Sequence, residues 1–468
     1  MDNNKDFLGT EPIGKLLFRL AVPTLTAQII NMLYNVVDRI YLGHIPNVGS
    51  LALTGVGVCM PIIMIVTAFA SLVSAGGAPR ASIFMGRGDN GTAEKILGNC
   101  FSTQILISVI LTAVLLIWNE PLLMAFGGDV DTIGYATDYM GMYAVGTIFV
   151  QLTLGMNAFI TAQGFTKISM LSVLIGAFSN IILDPILIFG ADMGVMGAAL
   201  ATIMSQSFSC IWVLLFLFGK KTRLRIRTRN MVPNMKIILP CLTLGLAPFI
   251  MQASESVIAV CFNTSLRDYG GTIAVGTMTI LTSVSQFAML PLQGIGQGAQ
   301  PIMSYNFGAG NEERVRSTFK LLIKVSTFFS MTIWALVMLF PAVFIGIFNS
   351  EEPLLAFAPT PLRIYALCVG IFGIQIACQM TFNALGNAKA SITVAVMRKF
   401  ILLVPLIYIM PHIMTGNKTL AVYTAEPIAD FLSVVFTVVL FYFQFKKAMA
   451  SIHKDEAKPI AETSQSAE

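Results

Sequence analysis

The chain has 468 residues, of which 56% are hydrophobic and only 11% charged, with a formal net charge of +5. A soluble domain carries roughly 25% charged residues, so this composition excludes a water-soluble enzyme or nucleic-acid binder and implies a polytopic membrane protein. The long apolar stretches are continuous rather than alternating, which excludes a β-barrel and calls for helices, whose backbone hydrogen bonds close internally.

The N-terminal stretch MDNNKDFLGTEPIGK carries acids and no small-residue cleavage site, so it reads as a retained segment rather than a removable signal peptide. The first apolar run, 16–43, reads LLFRLAVPTLTAQIINMLYNVVDRIYLG and is long enough to cross the ~30 Å hydrocarbon core. Asp38 lies inside it, and a carboxylate there requires a partner or a water-filled cavity. Further runs follow near 49–79, 96–118, 132–162, 168–190 and 195–218, then near 237–266, 272–304, 318–348, 359–385, 390–414 and 419–444, giving twelve candidate spans. The spans predict an all-α protein with an N-lobe over 1–218, a basic linker over 219–236, a C-lobe over 237–445 and a disordered tail over 446–468.

Lys and Arg in short loops set orientation. Lys5, Lys15, Arg80, Arg87, Lys95, Lys167, Arg314, Arg316, Lys389, Lys446, Lys447 and the run KKTRLRIRTRN (220–230) all fall on one side. The other side holds Glu120, Asp129, Asp131, Asp192, Glu351 and Glu352, interrupted only by Arg267 and Lys418. Both termini are therefore expected on the cytoplasmic side, with the basic run a solvated anchor. Seven cysteines lie singly, without a CxxC pair, which argues for packing roles rather than a disulfide framework or a metal site.

The two halves resemble each other. GAPRASIFMGRGDN (77–90) aligns with AQPIMSYNFGAGNE (299–312), placing Pro79 on Pro301, Gly86 on Gly308 and Gly88 on Gly310, an offset of 301 − 79 = 222. At that offset Gly164 falls on Gly386, Lys167 on Lys389 and Ser169 on Ser391. Six-helix halves of equal orientation are parallel repeats, an arrangement that places a substrate path between two rocking bundles.

With orientation set, depth follows from the 1.5 Å rise per residue. Asp38 and Asp184 each lie six residues before the outward end of a span, ~9 Å below the surface, and Asn180 is one turn from Asp184. Thr202 lies ~12 Å into the sixth span, with Tyr139 about as deep in the fourth. Two carboxylates in low dielectric repel, so one takes a proton or a cation sits between them. The neutral oxygens of Asn180 and Thr202 suit either role, and Pro185 frees a carbonyl a turn earlier. The alternative is a polar knot that only ties helices together.

In the C-terminal half, Glu255 is a lone carboxylate in the seventh span, either a second coupling or substrate contact or a cavity wall. Arg398, Lys399, Glu426 and Asp430 read as a structural charge cluster, and His412 as an outer-end residue. Met60, Met64, Met278 and Met289 are read as packing, although such side chains also line adaptable pockets.

From FLGTEPIGKLLFRLAVP (7–23) to the twelfth span, the chain resembles the multidrug and toxic compound extrusion (MATE) transporters, of the MepA-like and DinF-like kind. The most specific pieces are LYNVVDRIYLG (33–43), NIILDP (180–185) and the Pro…Gly-x-Gly loop of both halves. This resemblance implies two six-helix lobes in a V and alternating-access export of amphipathic organic cations from the plasma membrane, with H⁺ or Na⁺ exchanged inward and no other cofactor. It also implies a bacterial, monomeric protein among membrane lipids, with no nucleic-acid partner. The family's N-lobe cation site maps onto Asp38, Asn180, Asp184 and Thr202. Glu255 matches one acid of a C-lobe site, but the tenth span, RIYALCVGIFGIQIACQMTFNALG, has no acid to complete it. A lipid-linked oligosaccharide flippase is the rival expectation, but the central spans offer only Arg39 to hold a pyrophosphate. Enzyme function is not expected, because no HExxH, GxSxG or nucleophile–histidine pattern occurs.

Overall fold

A computed structural model describes residues 7–46, 48–348, 352–414 and 416–456. Among the described residues the chain is almost entirely helical, and no strand occurs. The membrane-length helices are α1 (Ile13–Gly43), α2 (Gly49–Gly86), α3 (Asn90–Ile117), α4 (Ile133–Ala162), α5 (Thr166–Pro185) and α6 (Gly194–Phe218). Met235–Gly308 is helical throughout except at Gly271, where φ is +63°. Its 74 residues would run roughly 110 Å if straight, yet residues near both of its ends pack on α2, so the chain doubles back at Gly271 into α7 (235–270) and α8 (272–308). α9 (Glu312–Leu339), α10 (Pro359–Ala384), α11 (Ala388–Ile413) and α12 (Lys418–Glu456) complete the twelve spans.

Several expected boundaries move: α2 runs on to Gly86 rather than 79, and α3 starts at Asn90 rather than 96. α9 starts at Glu312 rather than 318, because Asn311 caps it by accepting a hydrogen bond from the Arg314 amide at 3.1 Å. α10 is interrupted by a turn between Tyr365 and Val369. α12 continues to Glu456, so the first residues of the expected disordered tail extend an existing helix, for which elongation is far easier than nucleation. Lys5 and Glu351 lie outside the described residues, as does 457–468 of the expected tail.

The repeat extends to side-chain bonds. Asn157 donates to the Ser169 carbonyl at 3.3 Å, and 222 residues later Gln379 donates to the Ser391 carbonyl at 3.3 Å. Thr161 bonds the Ser169 hydroxyl at 2.9 Å, and its counterpart Asn383 accepts from the Ser391 hydroxyl at 2.6 Å. Gly164 and Gly386 turn the chain between these partners with φ of +84° and +73°, a region that glycine enters without steric cost.

The lobes meet where backbones approach closely. A Cβ on Gly86 would lie 2.0 Å from the Tyr305 carbonyl oxygen, and one on Gly308 would lie 1.9 Å from that of Ile83. These contacts are reciprocal under the 222-residue offset, so the duplication supplies both halves of the crossing. Nearer mid-span, Gly76 meets Cys241 and Gly245 meets Leu72, while Gly294 and Gly298 admit Leu25 and Ala21 of α1. Small residues permit such approach in lipid, where apolar side chains gain nothing by leaving the solvent. Thr24 donates to the Gly294 carbonyl at 2.7 Å, Gln28 to Gln297 at 3.3 Å and Ser71 to Gln252 at 3.2 Å. Phe69 and Phe249 stack edge to face at 5.0 Å.

All of these interlobe contacts lie in the halves of α1, α2, α7 and α8 nearest the basic loops, here termed the basic end. The N-terminal turn Phe7–Thr10 closes this end, with the Leu8 carbonyl accepting from Asn306 at 2.9 Å and from Arg314 at 3.2 Å. Toward the opposite end Leu33, Val36, Met64, Val257 and Val260 are exposed. Gly86→Val or Gly308→Val forces this crossing apart and is expected to destabilise the protein by about 2–3 kcal/mol. Gly57→Val, with nothing within 4 Å of its Cβ, is neutral. Thermal unfolding of the detergent-solubilised variants measures the difference.

Candidate functional site

The apolar runs that become α1, α4, α5 and α6 each carry polar residues near the end opposite the basic loops, and packing brings these together inside the N-lobe. Asp38 is buried five residues before the α1 terminus at Gly43. Asp184 is fully buried on α5 and accepts from the Asn180 amide, one turn earlier, at 3.2 Å. Asn180 also reaches the Thr202 hydroxyl on α6 at 3.5 Å. Tyr139 of α4 is buried, approaches Thr202, and stacks on Tyr143 with ring centroids 6.4 Å apart. Asp38 and Asp184 lie within electrostatic reach of each other. The five residues expected from the sequence thus converge on one region.

Pro185 stands at a change of helix geometry. It ends α5 and is followed by a wide π-turn, Ile186–Gly190, against which α6 packs so tightly that a Cβ on Gly197 would lie 2.7 Å from the Leu187 carbonyl oxygen. Such turns recur at functional sites because they redirect side chains without breaking the helix.

Three buried oxygens here have no protein donor: Asp38 Oδ1, Asp184 Oδ2 and Asn180 Oδ1. Buried polar atoms are otherwise almost always paired, so these acceptors are suited to a small cation or a proton. No basic side chain forms a salt bridge to either carboxylate among the described residues. A cavity of about 50 Å³ adjoins Asn180 and Thr202 and is also lined by Asn31, Tyr34, Asn157 and Gln206. Asn31 and Tyr34 are missing from the sequence reading, although their spacing to Asp38 (i, i+3, i+7) places all three on one α1 face and could have identified them. Gln206 is likewise one turn beyond Thr202. Asn157 had no such signal, because its approach depends on how α4 packs.

Glu255 does not join this region. It is not the lone carboxylate expected but accepts from Lys399 Nζ at 2.6 Å, with its side chain 51% exposed while that of Lys399 is buried. Arg398 donates through Nε to Asp430 at 2.7 Å and through Nη2 to Glu426 at 3.0 Å, and stacks over Phe372 at 4.5 Å. The expected charge cluster therefore exists and includes Glu255. Sequence periodicity hides the link to Glu255 because adjacent residues on an α-helix point in different directions. A π-helical stretch, Met397–Leu403, brings Arg398 and Lys399 both inward.

The model of the MatE family matches residues 23–186 and again 248–409. The multidrug export protein MepA of Staphylococcus haemolyticus (strain JCSC1435) is 23% identical over 399 residues, covering 85% of this chain and 87% of that protein. MepA of Staphylococcus aureus (strain NCTC 8325 / PS 47) is 22% identical over 409 residues, covering 87% and 90%. Among solved structures, a MATE in the bent conformation superposes with a TM-score of 0.89 at 21% identity, covering 98% of this chain and all of that one. A multidrug resistance MATE family transporter of the MOP superfamily, in an outward-facing conformation, gives 0.87 at 21% identity, covering 97% and 99%. At such identities the structural likeness concerns the fold.

The charge cluster makes a direct prediction for stability. Arg398→Met leaves two buried carboxylates without their base and is expected to cost about 3–5 kcal/mol. Adding Glu426→Gln and Asp430→Asn recovers most of that loss, as thermal unfolding of the two variants will measure.

Proposed function

Because the chain belongs to the MatE family of transporters, we propose that it is an antiporter that exports amphipathic organic cations in exchange for H⁺ or Na⁺. The observation that carries this reading is the pair of acids in α1 and α5, Asp38 and Asp184, buried without a salt bridge among the described residues beside the donor-free oxygen of Asn180, with the exposed Arg39 acting on Asp38 only through space. Two carboxylates without a salt bridge in a low dielectric hold a positive charge strongly. Thr202 and Tyr139 supply hydroxyls to the same network.

Neutralising Asp38 removes its repulsion of Asp184 and allows α1 to repack against α5 and α6. Because α1 also carries the interlobe contacts of Leu25 and Gln28, a change in its packing reaches the interface along which the lobes separate. Ion binding from one side then favours substrate release to that side, and ion loss to the other resets the cycle. The Lys- and Arg-rich loops assign the basic end to the cytoplasm, which makes the arrangement described above closed inward and accessible from outside, in a multi-pass plasma-membrane protein that works as a monomer. The substrates follow by analogy with the relatives named as multidrug exporters.

Asp38→Asn and Asp184→Asn are each expected to reduce efflux of a cationic dye to background while the protein remains in the membrane at normal abundance. Dye transport into proteoliposomes, with the Na⁺ and pH gradients imposed separately, identifies the ion. Wild-type efflux by both variants would remove the N-lobe acids from the mechanism.

A further inference from the structure

On α9, Arg316, Lys320 and Lys324 recur every four residues along an exposed face, opposite the buried Thr318, Leu322 and Ser326. Phe328, four residues further along the same face, is 75% exposed, so this face looks out into lipid. The charge-free remainder of α9, residues 325–339, rises about 22 Å, less than the ~30 Å hydrocarbon core. Lys324 therefore stands at the edge of that core nearer the basic end. Arg316 pairs with Glu312 one turn back, but neither Lys320 nor Lys324 forms a salt bridge among the described residues. An ammonium group at this depth needs a reach to water or an anion beside it.

The floor beside these cations is aromatic. Phe319 stacks on Phe441 of α12 at 4.4 Å and lies 5.3 Å from Phe445, and Arg316 sits over the Phe445 ring at 5.7 Å. α9 starts at the basic end and α12 finishes there, so the two helices run in opposite directions. Lys320, one residue past Phe319, and Lys446, one residue past Phe445, consequently open on the same side of the stack. Gln444 points to the other side, where it accepts from Asn387 at 3.2 Å. Lys446 is exposed, as is Tyr442 one turn before it. Side chains tilt toward the N-terminus of their own helix, so Lys320 and Lys324 lean toward the basic end and Lys446 leans back toward them. The result is a groove with ammonium groups on both walls and rings at its base.

The N-lobe covers the equivalent position with its own chain. At the 222-residue offset Arg316, Lys320 and Lys324 fall on Glu94, Gly98 and Ser102 of α3. The linker crosses there. Arg227 pairs with Glu94 at 2.6 Å, Asn99 donates to the Asn230 carbonyl at 3.1 Å, and a Cβ on Gly98 would lie 2.5 Å from that carbonyl oxygen. An acid under a basic strap in one lobe thus corresponds to uncovered bases in the other. The C-lobe does not repeat the crossing, because α12 stays helical through Glu456, ten residues and about 15 Å beyond Lys446. A cover for this groove has to be anionic at one end, to meet the lysines, and apolar at the other, to lie along Phe328. Anionic phospholipid has both properties, and basic pockets between membrane helices recognise its headgroup.

We propose that the groove between α9 and α12 at the basic end is a binding site for an anionic phospholipid, with the phosphodiester held between Lys320 and Lys446 and an acyl chain laid along Phe328. Lys324 reaches the same headgroup from below, its apolar stem against the chains. A zwitterionic lipid is a poorer ligand, because its own cation faces the lysines. The site uses neither the N-lobe acids nor the space between the lobes, so it stands apart from the antiport reading.

Phosphatidylglycerol titrated into the delipidated full-length protein in neutral detergent, with bound lipid counted by native mass spectrometry, tests the site. The unsubstituted protein is expected to bind one phosphatidylglycerol more tightly than phosphatidylcholine, without displacement by glycerol 3-phosphate. Lys320→Gln and Lys446→Gln each weaken binding about fivefold, and about thirtyfold together. Lys320→Arg with Lys446→Arg retains it, which separates lost charge from damaged folding. The charge-matched pair Lys95→Gln and Lys236→Gln, at exposed lysines of the same end, leaves the affinity unchanged, as does ending the chain at Glu456. Equal binding of phosphatidylcholine, or equal weakening by the Lys95 and Lys236 pair, reduces the effect to general surface charge and overturns the proposal. Displacement by glycerol 3-phosphate marks a free-anion site, and tighter lipid binding by the shortened chain marks the groove as the seat of residues 457–468; either result overturns it as well.

Discussion

Charge in a medium with almost no water to solvate it is the constraint that organises this protein. An ionised side chain inside the hydrocarbon layer must find a counter-charge, a dense set of hydrogen bonds or a water-lined cavity. The two lobes meet this requirement in different ways. In the N-lobe, Asp38 and Asp184 are buried without a salt-bridge partner among the described residues, and the hydrogen bonds around Asp184 come from the neutral Asn180 amide, which also reaches the Thr202 hydroxyl. In the C-lobe, the acids are interleaved with Arg398 and Lys399. The first arrangement accepts an external positive charge readily; the second carries most of its compensation within the chain.

Duplication explains why such different chemistry occupies equivalent positions. The two halves share their turn glycines, their helix-start caps at Asp89 and Asn311, and the bonds to Ser169 and Ser391. These features fix the backbone. Polar residues on α6 and their counterparts on α12, 224 residues later, are then free to diverge, from Thr202 and Gln206 in one lobe to Glu426 and Asp430 in the other. Backbone geometry limits where polar groups can be placed inside a lobe, and side-chain identity determines what each site can bind.

The contact between the lobes is built mainly from glycine approaches, a few hydrogen bonds between neutral side chains and one aromatic pair. None of those pairs is ionic. An interface of this type separates without stranding a charge in lipid, which suits the opening and closing of the lobes that the proposed antiport requires. α1 belongs to both regions, with Asp38 toward one end and Leu25 and Gln28 at the interlobe contact. The α1 helix is therefore the shortest covalent link between the two.

The sequence by itself determined the membrane environment, the twelve helices, their pairing into two repeats, and the N-lobe residues Asp38, Asn180, Asp184, Thr202 and Tyr139. Each of these follows from properties that are local along the chain: apolar run length, loop charge, a constant offset between motifs, and distance from a helix end. What only the tertiary structure decided concerns partners and facing. Asn157 lines the cavity, and Glu255 pairs with Lys399 across 144 residues, which adds a fifth member to the cluster of Arg398, Lys399, Glu426 and Asp430 read from the sequence. Helical periodicity gives a residue's angle about its own axis but not which neighbour that angle meets, and a π-turn such as Met397–Leu403 alters even the angle. Depth was legible because the bilayer is flat and the helical rise is constant; lateral packing was not, because it depends on the side chains of all the neighbouring helices at once.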